Sequence, residues 1–493
     1  MEGIGKNQRN SSVGRNTVYN MIKTVFGIIF PLITFPYISR VLGVENVGKL
    51  NYGTSIVSYF SLIASLGVST YAIRECAKCR EDRSKLSDTA SQIYSINIIS
   101  TAIAYAALLI TLLAARKLDP YRGLILIQSA TIIFSTLGAD WLNTAMEDFR
   151  YIAVRTVSMQ IVSLILMFIF VRHPEDYIRY AIISVAATSG ANIMNMFYRR
   201  RYCIIRFSLR IDWKTHLVPI LLLFSMILSQ TIYTSSDTTM LGIMKGDREV
   251  GLYSTSVKIY NMVNTVIASI ANVVMPELSA YYERKDYTNI NRILRYALSF
   301  IVTLGLPCIV GLNAITVPLL YTVAGKNYIG AATSLHIFTM ALSCSYIGGF
   351  IGNIIMLPSG REKYALQSSI ISAIVNFVLN LFLIPRWGLN AAALTTVFAE
   401  LIALLVIGSH VEKEVQIERK YEIIKAPIAG SVCIVLVALL VKRLTSNNYL
   451  ITILTVLLGA TAYALVLFLM RNELFMSFIT SMENKLTARK QRR

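Results

Sequence analysis

The sequence predicts an all-α polytopic membrane protein with about fourteen transmembrane helices. Three observations predict it. Of 493 residues, 55% are hydrophobic and only 15% charged, against roughly 25% charged in an ordinary soluble domain. Mean hydropathy is +0.57. Apolar stretches recur from end to end, each close to the roughly 20 residues a helix needs to cross hydrocarbon. This composition excludes a disordered chain, a secreted disulfide scaffold and a cytosolic enzyme.

In chain order the expected spans lie near 15–39, 50–73, 90–114, 123–145, 153–171, 178–198, 216–243, 251–275, 296–319, 328–354, 365–385, 388–409, 426–441 and 448–470. The first carries Asn16, Asn20 and Lys23 and is interrupted by Pro31 and Pro36. The second shows Asn51, Ser55, Ser58, Ser65 and Ser69 on one side. The fourth contains Asp140, in GADW. The seventh, among the least apolar, holds the run SQTIYTSSDTT with Asp237 near its end. The eighth has Ser254, Lys258, Asn261, Thr265, Ser269 and Asn272, spaced 4, 3, 4, 4 and 3, a helical period that draws one wet stripe along the span. Pro307 interrupts the ninth; prolines near a cavity are one way transporters break helices. The eleventh has Ser368, Ser372, Asn376 and Asn380, each four apart, and Glu400 lies mid-way along the twelfth.

Charge supports this count. With the N-terminus inside, the inside segments hold 32 Lys+Arg and the outside loops 13, the asymmetry that orients membrane proteins. Both termini are therefore expected on the cytoplasmic side of the membrane. The net charge of +20 is spread over these segments, so nucleic acid is not an expected partner. Cys76 and Cys79 form a C-x-x-C without the further ligands a structural zinc needs, and no cofactor is expected beyond a coupling proton or sodium ion.

Ionisable groups in hydrocarbon cost roughly 2.5–3.5 kcal/mol or more, so each is a functional candidate. Lys23 and Lys258 either bind an anion in a water-filled cavity or snorkel to the interface. Arg40, Arg74 and Arg155 sit at helix ends, where an interfacial charge is the alternative. Asp140, Asp237, Glu277 and Glu400 are candidates for ion coupling, Asp140 and Asp237 foremost, or for buried pairing. The small polar residues Asn51, Ser55, Ser254, Asn261, Thr265, Asn272, Asn376 and Asn380 line the cavity in this reading; the alternative is that they glue helices together.

An internal echo organises the spans. VLGVENVGKLNYGTSIVSYF (41–60) and MLGIMKGDREVGLYSTSVKIYN (240–261) both read Leu-Gly, a short polar loop, Val-Gly and a polar-striped helix. The six-span offset preserves orientation, a parallel repeat. The expected division is an N-lobe (1–214), a C-lobe (215–424) and two further spans with a basic tail (425–493).

The stretch FPLITFPYISRVLGVENVGKLNYGTSIVSYFSLIASLGVSTYAIRE resembles the opening of Wzx-type polysaccharide flippases of the multidrug/oligosaccharidyl-lipid/polysaccharide exporter superfamily. ADWLNTAMEDFRYIAVR (139–155), DTTMLGIMKGDREVGLYSTSVKIYN (237–261) and LPSGREKYALQSSIISAIVNFVLNLFLIPRWGLNAAALTTVFAE (357–400) resemble further motifs of that superfamily. The resemblance implies two six-helix lobes in a V around a central cavity, plus two C-terminal helices. It implies movement of an undecaprenyl-diphosphate-linked oligosaccharide across the membrane, among membrane lipids, with a polysaccharide polymerase and a chain-length regulator as candidate partners. It places Lys23 and Lys258, in helices comparable to those that carry cavity cations in related flippases, as candidates for the diphosphate; Arg40 and Arg74 are further candidates for the same charge. A lipid II flippase and a multidrug antiporter of the same superfamily are the transport alternatives. A membrane glycosyltransferase or polymerase is the distant one, because no phosphate-binding loop, nucleophile–base pair or metal motif is visible.

Overall fold

A computed structural model describes residues 2–208, 210–411, 415 and 420–490. Among them the secondary structure is helical, with no β-strand. Nine of these helices are long and apolar enough to cross a membrane. Two, Met21–Lys78 and Glu362–Gly408, each run through two expected spans. Expected spans four, six and seven are helical too, at Arg122–Gly138, Tyr177–Tyr198 and Trp213–Met244, but stand outside those nine.

The chain forms two compact units, Met1–Gly251 and Leu252–Arg493. This division differs from the boundary expected at 214/215. The first unit contains α1 (Glu2–Ser65), α2 (Val68–Lys78), α3 (Arg83–Ala114), α4 (Arg122–Gly138), α5 (Trp141–Ala145), α6 (Phe149–Phe170), α7 (Tyr177–Tyr198) and α8 (Trp213–Met244). The reason α8 belongs here is local: it packs on α1 and α2. A Cβ at Gly242 would strike the ring of Tyr52, so the missing side chain lets the two helices close.

The second unit contains α9 (Asp247–Glu283, its first turn in unit one), α10 (Tyr287–Ala314), α11 (Thr316–Val323), α12 (Ala332–Gly349), a π-helical turn (Phe350–Met356), α13 (Glu362–Gly408), α14 (Lys420–Leu444), α15 (Asn448–Leu469) and α16 (Glu473–Lys490). The last two expected spans, α14 and α15, pack on each other, and α14 also lies on α10. Tyr463 of α15 donates to the Thr303 carbonyl at 2.7 Å.

Side-chain caps start the helices where the sequence leaves a membrane edge. Asp82 accepts from the Ser84 and Lys85 amides, Asp212 from Thr215, Asp286 from Asn289 and Asn447 from Tyr449 and Leu450. Each satisfies amides that the first turn leaves without a partner. The helical run continues through Pro31, Pro36 and Pro307. The breaks lie instead at Gly43 (φ 73°, ψ 174°) in α1 and Gly388 (φ 55°, ψ −133°) in α13. Proline's fixed φ suits a helix and sacrifices one hydrogen bond, whereas these left-handed turns require glycine.

The two echoed segments meet in space. A Cβ at Gly48 would run into the Asp247 carbonyl, and one at Gly251 into the Val44 carbonyl. Each Val-Gly therefore crosses the Leu-Gly side of the other copy at backbone contact.

Candidate functional site

The first unit holds a polar seam between α1 and α8. Thr239 donates to Ser55 Oγ at 2.9 Å, Tyr59 donates to Thr239 Oγ1 at 3.2 Å, and Ser58 donates to Ser235 Oγ at 3.1 Å. Ser55 is buried, and Asp237, in the turn of α8 between Ser235 and Thr239, is buried as well. Asn51 donates to its own helix at Val47 O, 2.8 Å. Ser55, Ser58 and Tyr59 thus join α1 to α8. Lys23 and Arg40 are exposed on α1, Lys23 next to the exposed apolar side chains of Met21, Ile22 and Val25. The side chains of Asn16 and Asn20 lie outside the described residues. Arg74 pairs with Glu75 at 3.0 Å, and Lys78 pairs with the same carboxylate at 2.9 Å.

A second cluster in this unit joins α4, α5, α6 and α7. Arg155, only 3% exposed, donates from Nη2 to Asp140 Oδ1 at 2.6 Å; the Asp140 side chain is 43% exposed. Asn143 Nδ2 also donates to Asp140, at 3.2 Å. Asp140 is thus the counter-ion of a buried guanidinium, a charge pair inside the bundle. Neighbouring groups close the end of α4: Asn195 donates to the Gly138 carbonyl at 2.7 Å, and Arg199 to the Leu137 carbonyl at 2.8 Å. Both satisfy carbonyls that a helix C-terminus leaves open, and the cation also complements its negative end. Just outside the spans, burial raises the Asp148 carboxyl. Hydrogen bonds from Tyr202, Tyr198 and the Tyr151 amide outweigh it and hold the group below the usual carboxylate range.

In the second unit the α9 stripe is graded. Ser254 is buried, Lys258 half-buried, and Asn261 and Thr265 exposed; the Asn272 side chain lies outside the described ones. One edge of a membrane helix thus runs from packed to open with a lysine between. Asn376 and Asn380 are arranged differently. Both are fully buried: Asn380 donates to Asn376 at 3.0 Å, and Thr395, across the Gly388 break, donates to Asn380 at 2.6 Å. They form a closed hydrogen-bonded knot that holds the two halves of α13 together. Glu400 accepts from Tyr260 at 3.3 Å. Arg155, Thr395, Tyr59 and Thr239 were not legible as partners, because each pairs across a turn or between helices far apart in sequence.

Comparison with known proteins follows the same lines. A Shigella dysenteriae protein named "Putative O-antigen transporter" is 22% identical over 383 residues, 76% of this chain and 94% of that protein. The Staphylococcus aureus "Capsular polysaccharide biosynthesis protein CapF" is 20% identical over 401 residues, 79% of this chain and 97% of the relative. Among solved structures, the lipid II flippase MurJ in an inward closed conformation superposes with a TM-score of 0.75 at 16% identity, covering 94% of this chain and 100% of that one. An inward-facing multidrug resistance MATE family transporter gives 0.59 at 14% identity, over 79% and 96%. These likenesses establish a shared transporter fold. The polysaccharide biosynthesis protein family matches residues 13–282. With more than half the chain inside that match, the protein belongs to the polysaccharide biosynthesis protein family.

Proposed function

We propose that the chain is a flippase that moves undecaprenyl-diphosphate-linked oligosaccharide repeat units across the bacterial cytoplasmic membrane for surface polysaccharide synthesis. The relatives' names supply the substrate class, and the fold supplies the transport scaffold. The carrying observation is the graded α9 stripe, with a half-buried lysine inside a membrane helix. A cation there suits the diphosphate, which as a diester carries two negative charges. Lys258 neutralises it, and Asn261 and Thr265 hydrogen-bond the groups beside it; Lys23 and Arg40, exposed on α1, are the cationic candidates of the first unit. Arg74 contributes less, because its charge is shared with Glu75. Lysine acts as a point charge without arginine's fork.

Direction requires either a difference in affinity between states or coupled ion movement. Asp237, a buried carboxylate on a membrane helix, is the coupling candidate in this reading. Asp140, the counter-ion of Arg155, is the second candidate. A polymerase and a chain-length regulator act downstream, and both termini face the cytoplasm. Lys258→Ala abolishes surface polysaccharide while the protein remains inserted at wild-type level; Lys258→Arg retains part of it. Normal polymer from Lys258→Ala removes Lys258 from the mechanism.

A further inference from the structure

In the first unit, the chain between α7 and α8 is fixed on α3 by a ladder. Residues 203–208 have no regular secondary structure, yet their alternate amides are placed. Ile204 donates to Ser87 Oγ at 3.4 Å, Arg206 to Ser91 Oγ at 3.1 Å and Ser208 to Ser95 Oγ at 2.9 Å. Two periods set this register. Two residues of extended chain advance about 6.6 Å and four of helix about 6.0 Å, so every second amide meets a serine one turn further along α3. Ser87 and Ser95 donate their own protons to the Arg83 and Ser91 carbonyls, each at 2.7 Å, which leaves oxygen lone pairs to accept from the strap. Tyr202, donating to Asp148 at 2.6 Å, and Asp212, the cap of α8, hold its two ends.

This strap lies at a membrane edge. It connects the end of α7 to the start of α8 and runs along the start of α3, which opens with RSKLSDTASQ. The 32 residues of α3 span about 48 Å against ~30 Å of hydrocarbon, and the surplus belongs to that polar opening. Ile205 and Ile211 pack inward on the core that holds Cys203. What faces outward is mixed. Ile204, Phe207 and Trp213 are 53%, 51% and 43% exposed, and Arg206, Arg210 and Lys214 are exposed among them. Among the described residues none of these three cations forms an ion pair. Within 199–214 the acid is Asp212 alone, and it is engaged as a cap. Apolar side chains interleaved with cations fit the headgroup layer, where aromatic rings and long basic side chains settle and where basic clusters attract anionic lipid. We propose that the strap at 204–214 binds the headgroup of an anionic bilayer phospholipid, its phosphodiester held by Arg206, Arg210 and Lys214 and its upper acyl chain lying on Ile204, Phe207 and Trp213. The serine ladder holds the backbone that carries Arg206 and Phe207. The site is independent of what the chain transports.

The test uses the full-length protein in lipid nanodiscs. Trp387→Phe leaves Trp213 as the exposed tryptophan, because Trp141 is buried. Fluorescence quenching by dibrominated phosphatidylglycerol against dibrominated phosphatidylcholine gives the relative binding constant of the two lipids at Trp213. The anionic lipid is preferred about fivefold, the worth of one cation near an anionic surface. Arg206→Gln/Arg210→Gln removes the preference. Ser91→Ala/Ser95→Ala, which changes no charge, weakens it. Arg116→Gln/Lys117→Gln, just beyond the other end of α3, leaves it unchanged, as does inorganic pyrophosphate in excess. The site is overturned if Trp213 reports no preference, or if the preference survives the loss of Arg206 and Arg210. It is also overturned if loss of Arg116 and Lys117 removes the preference equally, which would make it a matter of overall charge. Abolition by pyrophosphate overturns it too, and would assign the cations to a diphosphate instead of a bilayer lipid.

Discussion

The crossing of the two echoed segments offers the sharpest structural prediction. Gly48 and Gly251 each face a backbone carbonyl of the other copy, those of Asp247 and Val44. A methyl group at either position cannot be accommodated by rotating a side chain, because the obstacle is main chain; the segments must separate. Overpacking of this kind costs ~1–3 kcal/mol, and here the upper half of that range applies. Gly123→Ala is the control: nothing lies within 4 Å of the new methyl, and Ala gains up to about 1 kcal/mol over Gly within a helix. The assay is the thermal midpoint of detergent-solubilised protein followed by fluorescence-detected gel filtration. Gly48→Ala and Gly251→Ala both lower the midpoint and Gly123→Ala does not. Since the first substitution already spreads the crossing, the double variant loses less than the sum of the two. Midpoints for Gly48→Ala and Gly251→Ala equal to that of Gly123→Ala would refute the crossing.

Three further outcomes follow from the first unit. Asp140→Leu leaves Arg155 buried without its counter-ion; the ~3–5 kcal/mol cost of a fully buried broken pair falls to about 1–3 because Asp140 is partly exposed and screened, and Asp140→Leu/Arg155→Leu regains much of it in the same assay. Asp148, with its folded pKa below the usual value, contributes stability that is present above the unfolded pKa of about 3.9 and is lost as pH falls through the folded value. Asp148→Asn, which keeps the cap on α6, therefore lowers the midpoint at pH 7 and lowers it by less at pH 3; an equal deficit at both would count against the charge. Burial pushes the Cys203 thiol up to about 11, so at pH 8 maleimide leaves it unlabelled until the protein is unfolded, as mass spectrometry of the labelled peptide reports.

Much of the fold was legible because a bilayer leaves the backbone few choices. Apolar runs of spanning length must become helices, and all fourteen expected stretches are helical. Other features depended on information that periodicity does not carry. Proline looked like the breaker, yet the turns fall at Gly43 and Gly388, where positive φ is needed. The stripes of α9 and α13 read alike in sequence, but Asn261 and Thr265 are exposed while Asn376 and Asn380 close on Thr395. The difference comes from which neighbour packs on each face, and α13 folds back on itself. Asp140 stood out as a charge in hydrocarbon; its partner Arg155 lies 15 residues on, beyond a helix–turn–helix, and looked interfacial.

The most direct measurement reconstitutes the purified chain in proteoliposomes and follows transfer of an undecaprenyl-diphosphate-linked oligosaccharide between leaflets, using a glycosidase confined to one side. Wild type moves the lipid faster than empty vesicles, Lys258→Ala does not, and Lys258→Arg falls between them. Transfer by Lys258→Ala at the wild-type rate, or none by the wild type under any imposed ion gradient, would contradict the account.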